Sequence, residues 1–193
     1  HTPFSLAENP FSISSAPSAG AELRFVIKEF GDFSRSVGRI APGTRAHLDG
    51  PHGNLVVDGR REPGIALIAG GVGIAPLLGI LRELRLRQDP RPLALVYGNR
   101  KESQIVHRAE LDAAAERPGI EVVHVLSEPP EGWRGETGMV SEDLLRRLFG
   151  SEARRRWLYV LCGPAPMLVA VERALIDLGV PARRILSERF EYD

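Results

Sequence analysis

Ile65-Ala66-Leu67-Ile68-Ala69-Gly70-Gly71-Val72-Gly73-Ile74-Ala75-Pro76-Leu77-Leu78 decides how the rest of this chain is read. The apolar run Ile65 to Ala69 has the length of a strand covered on both faces, and Leu77, Leu78, Leu81 and Leu84 continue at helical spacing. A strand, a glycine turn and a helix therefore follow one another. Gly71 and Gly73 match the first two glycines of a G-x-G-x-x-G-like turn, where missing side chains let backbone N–H groups approach a pyrophosphate at a helix N-terminus. Pro76 takes the third glycine position, where a proline in the first helical turn loses no needed hydrogen bond. Alone, such a junction fits a nucleotide site or a plain tight turn.

Beyond that stretch, strands and helices alternate. Leu93 to Tyr97, Glu121 to Leu126 and Trp157 to Leu161 read as further strands, with helices around Arg108 to Arg117 and Ser141 to Phe149. Ser141 is a plausible N-cap, Glu142 and Asp143 suit the positive dipole end, and Gly150 is a stop. A last helix sets Leu168, Val171, Leu175 and Leu178 on one stripe, and a short strand near Ile185 completes the pattern. This predicts an α/β fold with a doubly wound parallel sheet. Right-handed crossovers would gather the loops after the strands on one edge, where ligands bind in such sheets. That edge would hold Gly71 and Gly73, Gly98-Asn99-Arg100, Ser127-Glu128 and Cys162-Gly163-Pro164.

Upstream the signals are those of β structure. Phe11 to Ser15 alternates, Glu22 to Lys28 reads as a second strand, and Arg45 to Asp49 and Leu55 to Val57 as two more. Gly31 to Ser34 opens a short helical segment. Four strands with several edges make a poor closed barrel, so the expected barrel is partial and incomplete on its N-terminal side. The polar segment Asp58 to Gly64 marks the change of pattern, which predicts one domain over 1–60 and a second over 61–193.

Composition narrows the function. The chain has 193 residues, 43% hydrophobic, and its 25 basic and 25 acidic residues cancel, which offers no net pull toward nucleic acid or an acidic membrane surface. Cys162 is the single cysteine, which excludes an internal disulfide and a Cys-ligated iron–sulfur cluster within this chain. No apolar run reaches membrane-spanning length. His47, His52, His107 and His124 have no cysteine or histidine partners at ligand spacing, and no Ser/His/Asp or paired-carboxylate arrangement emerges, so neither a metal site nor hydrolysis is expected.

Pro10-Phe11-Ser12-Ile13-Ser14-Ser15, Gly31-Asp32-Phe33-Ser34, Gly50-Pro51-His52-Gly53, Gly70 to Pro76, Cys162-Gly163-Pro164 and Glu188-Arg189-Phe190, taken in order, resemble the ferredoxin–NADP reductase superfamily. Within it they look like the FAD/NAD(P)-binding dehydrogenase portion of ferric reductases and NADPH oxidases. The resemblance spans essentially the whole chain. It implies an antiparallel β-barrel FAD domain ahead of a Rossmann-like nicotinamide-dinucleotide domain, and it implies roles. Asn9, Pro10, Phe11 and Ser12 stand at the flavin motif, with Phe11 on the isoalloxazine, Ser12 near flavin N5, and Asn9 where the family has a cationic or imidazole residue. Gly31 and Ser34 would meet the flavin pyrophosphate, and His52 would be a turn-packing or ligand-facing residue. Gly70, Gly71, Gly73 and Pro76 would hold the dinucleotide. Cys162, Gly163 and Pro164 would lie beside the nicotinamide, and Glu188 and Phe190 would approach the flavin, with Tyr192 a second aromatic candidate. Glu128 after the third strand suits a free ribose 2′-hydroxyl, whereas Arg100 and Lys101 suit a 2′-phosphate; the balance leans to NADH.

The resulting expectation is a flavin-dependent oxidoreductase that moves hydride from NAD(P)H to FAD and then single electrons to a haem or iron–sulfur domain outside this chain. Ser12, Cys162, Glu188 and Phe190 would stand at the reacting groups. The eight residues before Asn9 suggest a piece excised from a longer chain, cytoplasmic or the cytosolic part of a membrane protein. A soluble oxygenase-reductase component and a fragment that binds nucleotide without catalysis are the alternatives.

Overall fold

The computed structural model describes residues 9–190, with only the backbone at Phe190. Six parallel strands form one sheet: β1 (Ile65–Gly70), β2 (Leu93–Asn99), β3 (Ile120–Leu126), β4 (Glu136–Thr137), β5 (Leu158–Pro164) and β6 (Ile185–Phe190). Their order is β4-β3-β2-β1-β5-β6. The chain steps outward from β1 to β4 and then returns to β5 on the other side of β1. This reversal makes the carboxyl ends of β1 and β5 a topological switch point.

Each buried strand feeds two cores because successive side chains face opposite ways. Ile65, Leu67, Ala69, Leu95, Tyr97, Val160 and Cys162 pack under α2 (Ile74–Leu86) and α3 (Arg108–Ala115). Ala66, Ile68, Val96, Tyr159 and Leu161 pack under α4 (Glu142–Phe149) and α5 (Ala165–Asp177). The Ser141 hydroxyl accepts from the Leu144 amide at 3.3 Å, as an N-cap should.

Two boundaries differ from the sequence reading. Cys162-Gly163-Pro164 belongs to β5 itself, paired through to Phe190 of β6, so the strand runs three residues further than its apolar core. The two-residue β4 has no sequence signature of its own; its pairing with Val125 and Leu126 creates it.

The larger difference lies upstream. The expected strands at 11–15, 22–28, 45–49 and 55–57 form no ladder among the described residues; a single antiparallel bridge joins Ile13 to Phe25. The segment has little regular structure beyond a 3₁₀ turn at Pro17–Ala19 and one short helix, α1 (Asp32–Val37), and Leu48 is 66% exposed. Two strands alone hold each other weakly, so alternation without further partners leaves an open chain rather than a barrel.

The part of this segment that is fixed sits on α2. Gly79 leaves room for the backbone of the incoming chain: a Cβ there would stand 3.1 Å from the Ile13 oxygen and 3.2 Å from that of Ser15. Arg82 Nη1 donates to the Ser14 carbonyl at 2.6 Å while its Nε and Nη2 grip the two oxygens of Glu110 at 2.8 and 2.6 Å. That fork holds Glu110 below the usual carboxylate range. Glu83, 6% exposed, accepts from the Ser18 amide at 2.9 Å and from its hydroxyl at 2.5 Å, and pairs with Arg87. Burial alone would raise its pKa, yet the Ser18 bonds and Arg87 hold it below the usual value.

Two consequences are measurable. Glu83 titrates lower folded than unfolded, so its stabilisation is complete above its ordinary value of 4.5 and is lost as pH falls through the depressed one. The urea-midpoint gap between the wild type and Glu83→Gln should therefore be constant at neutral pH and shrink below that value; a gap independent of pH would show that the carboxylate is not what holds Ser18. The second concerns β1's turn. A Cβ on Gly73 would stand 2.2 Å from the Cys162 carbonyl oxygen, whereas Gly71 has φ +53° and open space around it. Gly71→Ala should cost about 1–2 kcal/mol of backbone strain. Gly73→Ala should cost about 1–3 kcal/mol of overpacking and also push β1 and β5 apart. Equal nucleotide affinity in the two variants would count against this account.

Candidate functional site

The switch point is built from interlocked glycines. β1 ends at Gly70, residues Gly71–Gly73 form one 3₁₀ turn, and α2 begins at Ile74. Gly73 lies against the Cys162 carbonyl and the Gly163 nitrogen, while Gly163 lies 3.1 Å, at its would-be Cβ, from the Gly70 nitrogen. Gly70 in turn faces Pro164 and the Met167 sulfur, both inside 3 Å of a would-be Cβ. No side chain caps the start of α2, whose Ile74 amide bonds back to the Gly71 and Val72 carbonyls and whose Pro76 has no N–H, so the glycine turn itself borders the crevice between the β1 and β5 ends. Pro76 is half-buried in its first turn.

Cys162 is fully buried, with 0% exposure, and packs into the α2 side of the core. Its backbone, not its sulfur, borders the crevice. Burial and the nearby Glu188 carboxylate push the thiol up to about 12, so it is a neutral thiol and not a nucleophile. Glu188 sits opposite Cys162 in the β5–β6 register, half-buried, with one carboxylate oxygen 3.8 Å from the would-be Cβ of Gly53. The loop at Gly50 to Gly53 and the end of β6 are thus neighbours. His52 is itself 74% exposed at the side chain and faces Asp49 at 3.5 Å. The side chain of Phe190 and the whole of Tyr192 lie outside the described residues.

Along the same edge, the two groups read from sequence as competing for the ribose are bonded to each other. Arg100 Nε pairs with Glu128 at 3.0 Å, with Lys101 at 3.9 Å from the same carboxylate. The backbone joins them too: the Glu128 amide donates to the Arg100 carbonyl at 2.8 Å and that of Ser127 to Asn99 at 3.1 Å. A cation that could take a phosphate is here partly neutralised by a carboxylate that would repel one.

The upstream candidates separate into two groups. Phe11 stacks on Phe33, ring centroids 6.1 Å apart and planes at 22°, with Ser12 half-buried beside it and Asn9 and Pro10 exposed. Ser34, in contrast, is occupied locally. Its hydroxyl accepts from the Phe30 and Gly31 amides at 2.9 and 3.0 Å and donates to the Gly31 carbonyl at 3.1 Å, which fastens the start of α1 at Gly31. Those bonds use the capacity a phosphate would need.

A cleft of about 600 Å³ lies elsewhere, beneath the loop from Pro130 to Glu136 at the open edge of β3. Trp133 closes it, with Arg108 5.4 Å over its ring. His124 lies within, 8% exposed at the side chain, and burial together with Arg108 lowers its pKa. Arg82, Glu83 and Gly79 were not singled out by sequence reading: on a helix they look like an ordinary solvated charge pair and a weak spot.

Comparison with known proteins agrees with this geometry. Residues 67–173, from within β1 to within α5, match the family described as the oxidoreductase NAD-binding domain. The NADH-cytochrome b5 reductase 1 of Laccaria bicolor is 31% identical over 179 residues, which cover 90% of this chain and 58% of that protein. That of Meyerozyma guilliermondii is 34% identical over 170 residues, 86% of this chain and 60% of that protein. The chain thus spans about three fifths of the length of these curated relatives. Among solved structures, the cytochrome b5 reductase domain of Ulva prolifera nitrate reductase superposes with a TM-score of 0.81 at 25% identity, covering 92% of this chain and 78% of that one. The Amycolatopsis cytochrome P450 reductase GcoB gives 0.78 at 27% identity, over 97% and 58%. The two curated relatives and the Ulva prolifera domain carry the name of cytochrome b5, a branch of the superfamily other than the ferric reductases that the motifs resemble. A parallel sheet with its glycine turn at the switch point, matched over more than half its length by one family, places the chain among the oxidoreductase NAD-binding domains of the ferredoxin reductase superfamily.

Proposed function

We propose that this chain is the nicotinamide-binding, hydride-delivering part of an FAD-dependent NADH oxidoreductase. Residues 61–193 form the dinucleotide domain, and residues 1–60 contribute to an FAD site whose full form is an antiparallel barrel. The observation that carries the reading is the crevice between the β1 and β5 ends. Gly71 has room and a positive φ, so no side chain blocks the approach to the backbone of the glycine turn ahead of α2. A pyrophosphate fits there, and nothing larger than hydrogen fits at Gly73 if the crevice is to exist.

The residues present divide the work. The backbone of the turn Gly71–Gly73 holds the phosphates, and Gly163 and Pro164 form the floor under the nicotinamide. Cys162 keeps its proton and, through its backbone, sets how far β5 stands from the turn. Glu128 accepts from a ribose 2′-hydroxyl and, with Arg100 already paired to it, disfavours a 2′-phosphate. The curated relatives are named for NADH, which points the same way. Phe11 offers a flat aromatic face and Ser12 a hydroxyl for the flavin, and Glu188 lies where β6 meets the Gly53 loop. Flavin, when bound, supplies the link between a two-electron donor and one-electron acceptors. The acceptor is a haem or iron–sulfur group outside this chain, and the names of the relatives favour the haem of cytochrome b5. The second reading, nucleotide binding without catalysis, draws on the absence of a barrel ladder among the described residues.

Visible spectra of the purified chain with FAD, followed by anaerobic NADH or NADPH, separate the two. Bound flavin that bleaches with NADH is the expected result. NAD⁺ binding with no flavin bound would leave only the nucleotide platform. Selectivity has its own test. Glu128→Ala frees Arg100 and Lys101 to meet a 2′-phosphate, so the preference for NADH over NADPH should narrow about tenfold, some 1.4 kcal/mol, read as the ratio of dissociation constants. An unchanged ratio would remove Glu128 from the ribose site.

A further inference from the structure

The chain is neutral overall, but its charges are not evenly placed. Because the strands are parallel, the loops that precede β1, β2, β3, β5 and β6 share one edge, opposite the nucleotide crevice. On residues 58–64, 87–92, 116–119, 150–157 and 178–184 there are ten arginines and five carboxylates. The remainder of the chain carries the balancing negative charge.

Three of the five carboxylates are already used. Asp58 pairs with Arg87, Glu62 with Arg60 and Asp89 with Arg91. Arg154 reaches Glu121 on β3, and Arg155 leans on the Leu178 carbonyl. That leaves Arg61, Arg117, Arg156 and Arg183 exposed with no ion pair among the described residues, while the half-buried Arg184 acts on Glu62, whose carboxyl its charge helps to hold down. The loops are joined into a row: Arg91 donates to the Arg60 carbonyl at 3.0 Å, Arg60 to that of Arg183 at 2.9 Å, and the Leu158 amide to Gly64 at 2.9 Å. From β3 to β6 the row crosses five adjacent strands, about 20 Å at the usual strand spacing. Two aliphatic side chains, Leu86 near the end of α2 and Ile176 near the end of α5, are more than half exposed on the same edge.

We propose that this edge docks on the anionic surface of a lipid bilayer. The unpaired guanidiniums lie along a line of loops rather than inside a pocket, which suits a broad polyanionic surface with no shape of its own. Leu86 and Ile176 are what a headgroup region can receive beside them. Nucleic acid fits less well, since Trp157, the aromatic residue of these loops, is buried and unavailable for stacking. Docked this way, the chain turns its nucleotide crevice away from the lipid. The interaction does not depend on flavin or on the oxidoreductase reading.

Co-sedimentation of the chain with vesicles of equal parts phosphatidylserine and phosphatidylcholine tests it, against pure phosphatidylcholine. Binding is expected to the anionic vesicles alone, to fall as salt rises from about 0.1 M to about 0.5 M, and to drop about a hundredfold in Arg61→Gln/Arg156→Gln/Arg183→Gln, at roughly fivefold per arginine. Arg100→Gln/Lys101→Gln/Arg134→Gln removes the same charge from outside this row of loops and should bind like the wild type. Equal loss in both triple variants, equal binding to both vesicles, or no binding by the wild type would overturn the proposal. Far-UV circular dichroism checks that each exposed-site variant is folded.

Discussion

The contact on which the rest depends is that of Gly73 with the backbone of Cys162 and Gly163. A Cβ at Gly73 would overlap the Cys162 carbonyl, so the turn after β1 presses directly on the end of β5. Two chain segments some ninety residues apart in sequence are thereby locked backbone to backbone. The two segments can approach this closely only because Gly73 brings no side chain to the contact. Gly70 and Gly163 extend the same arrangement by one residue on each strand. Hydrophobic burial on both faces of β1 supplies the force that makes the contact tight, since the strand has no exposed residue to relieve it.

That contact was only half legible in the sequence. The glycines after an apolar run announce a turn, and the 3.6-residue stripes of Leu77 to Leu84 and Leu168 to Leu178 announce helices on a parallel sheet. Nothing local says which strand the turn will touch. Cys162-Gly163-Pro164 reads as a stop, because glycine and proline are poor strand residues, yet parallel pairing with β6 carries the strand through them. Arg100 and Glu128 read as alternatives because they follow different strands; the register that sets β2 beside β3 brings them to 3.0 Å and makes them one unit.

The upstream segment shows the opposite weakness. Alternation in Phe11 to Ser15 and Glu22 to Lys28 specifies faces, and the single Ile13–Phe25 bridge respects it. Alternation does not specify partners, and a ladder exists only where partners do. What anchors the segment is instead a set of polar bonds to α2 that no periodicity reveals. Glu83 and Arg82 occupy positions where charges on a helix are usually solvated, and become fixed because a backbone with unpaired groups lies over them.

These bonds have a directional consequence. Ser18 is held at Glu83, Ser14 at Arg82, and Ile13 and Ser15 pass over Gly79, so falling residue number in the segment follows falling residue number along α2. The chain therefore runs back toward the helix start. Gly79 is about 9 Å from Gly73 at the usual rise per residue. From Ile13, two extended residues add up to about 7 Å of reach. Phe11 and Ser12 are thus carried toward the edge where β1 and β5 end, although they belong to a segment with almost no secondary structure of its own. One helix serves as the common ruler: its first turn faces the crevice, and Gly79, Arg82 and Glu83 in its second and third turns set the line along which Phe11 and Ser12 approach it.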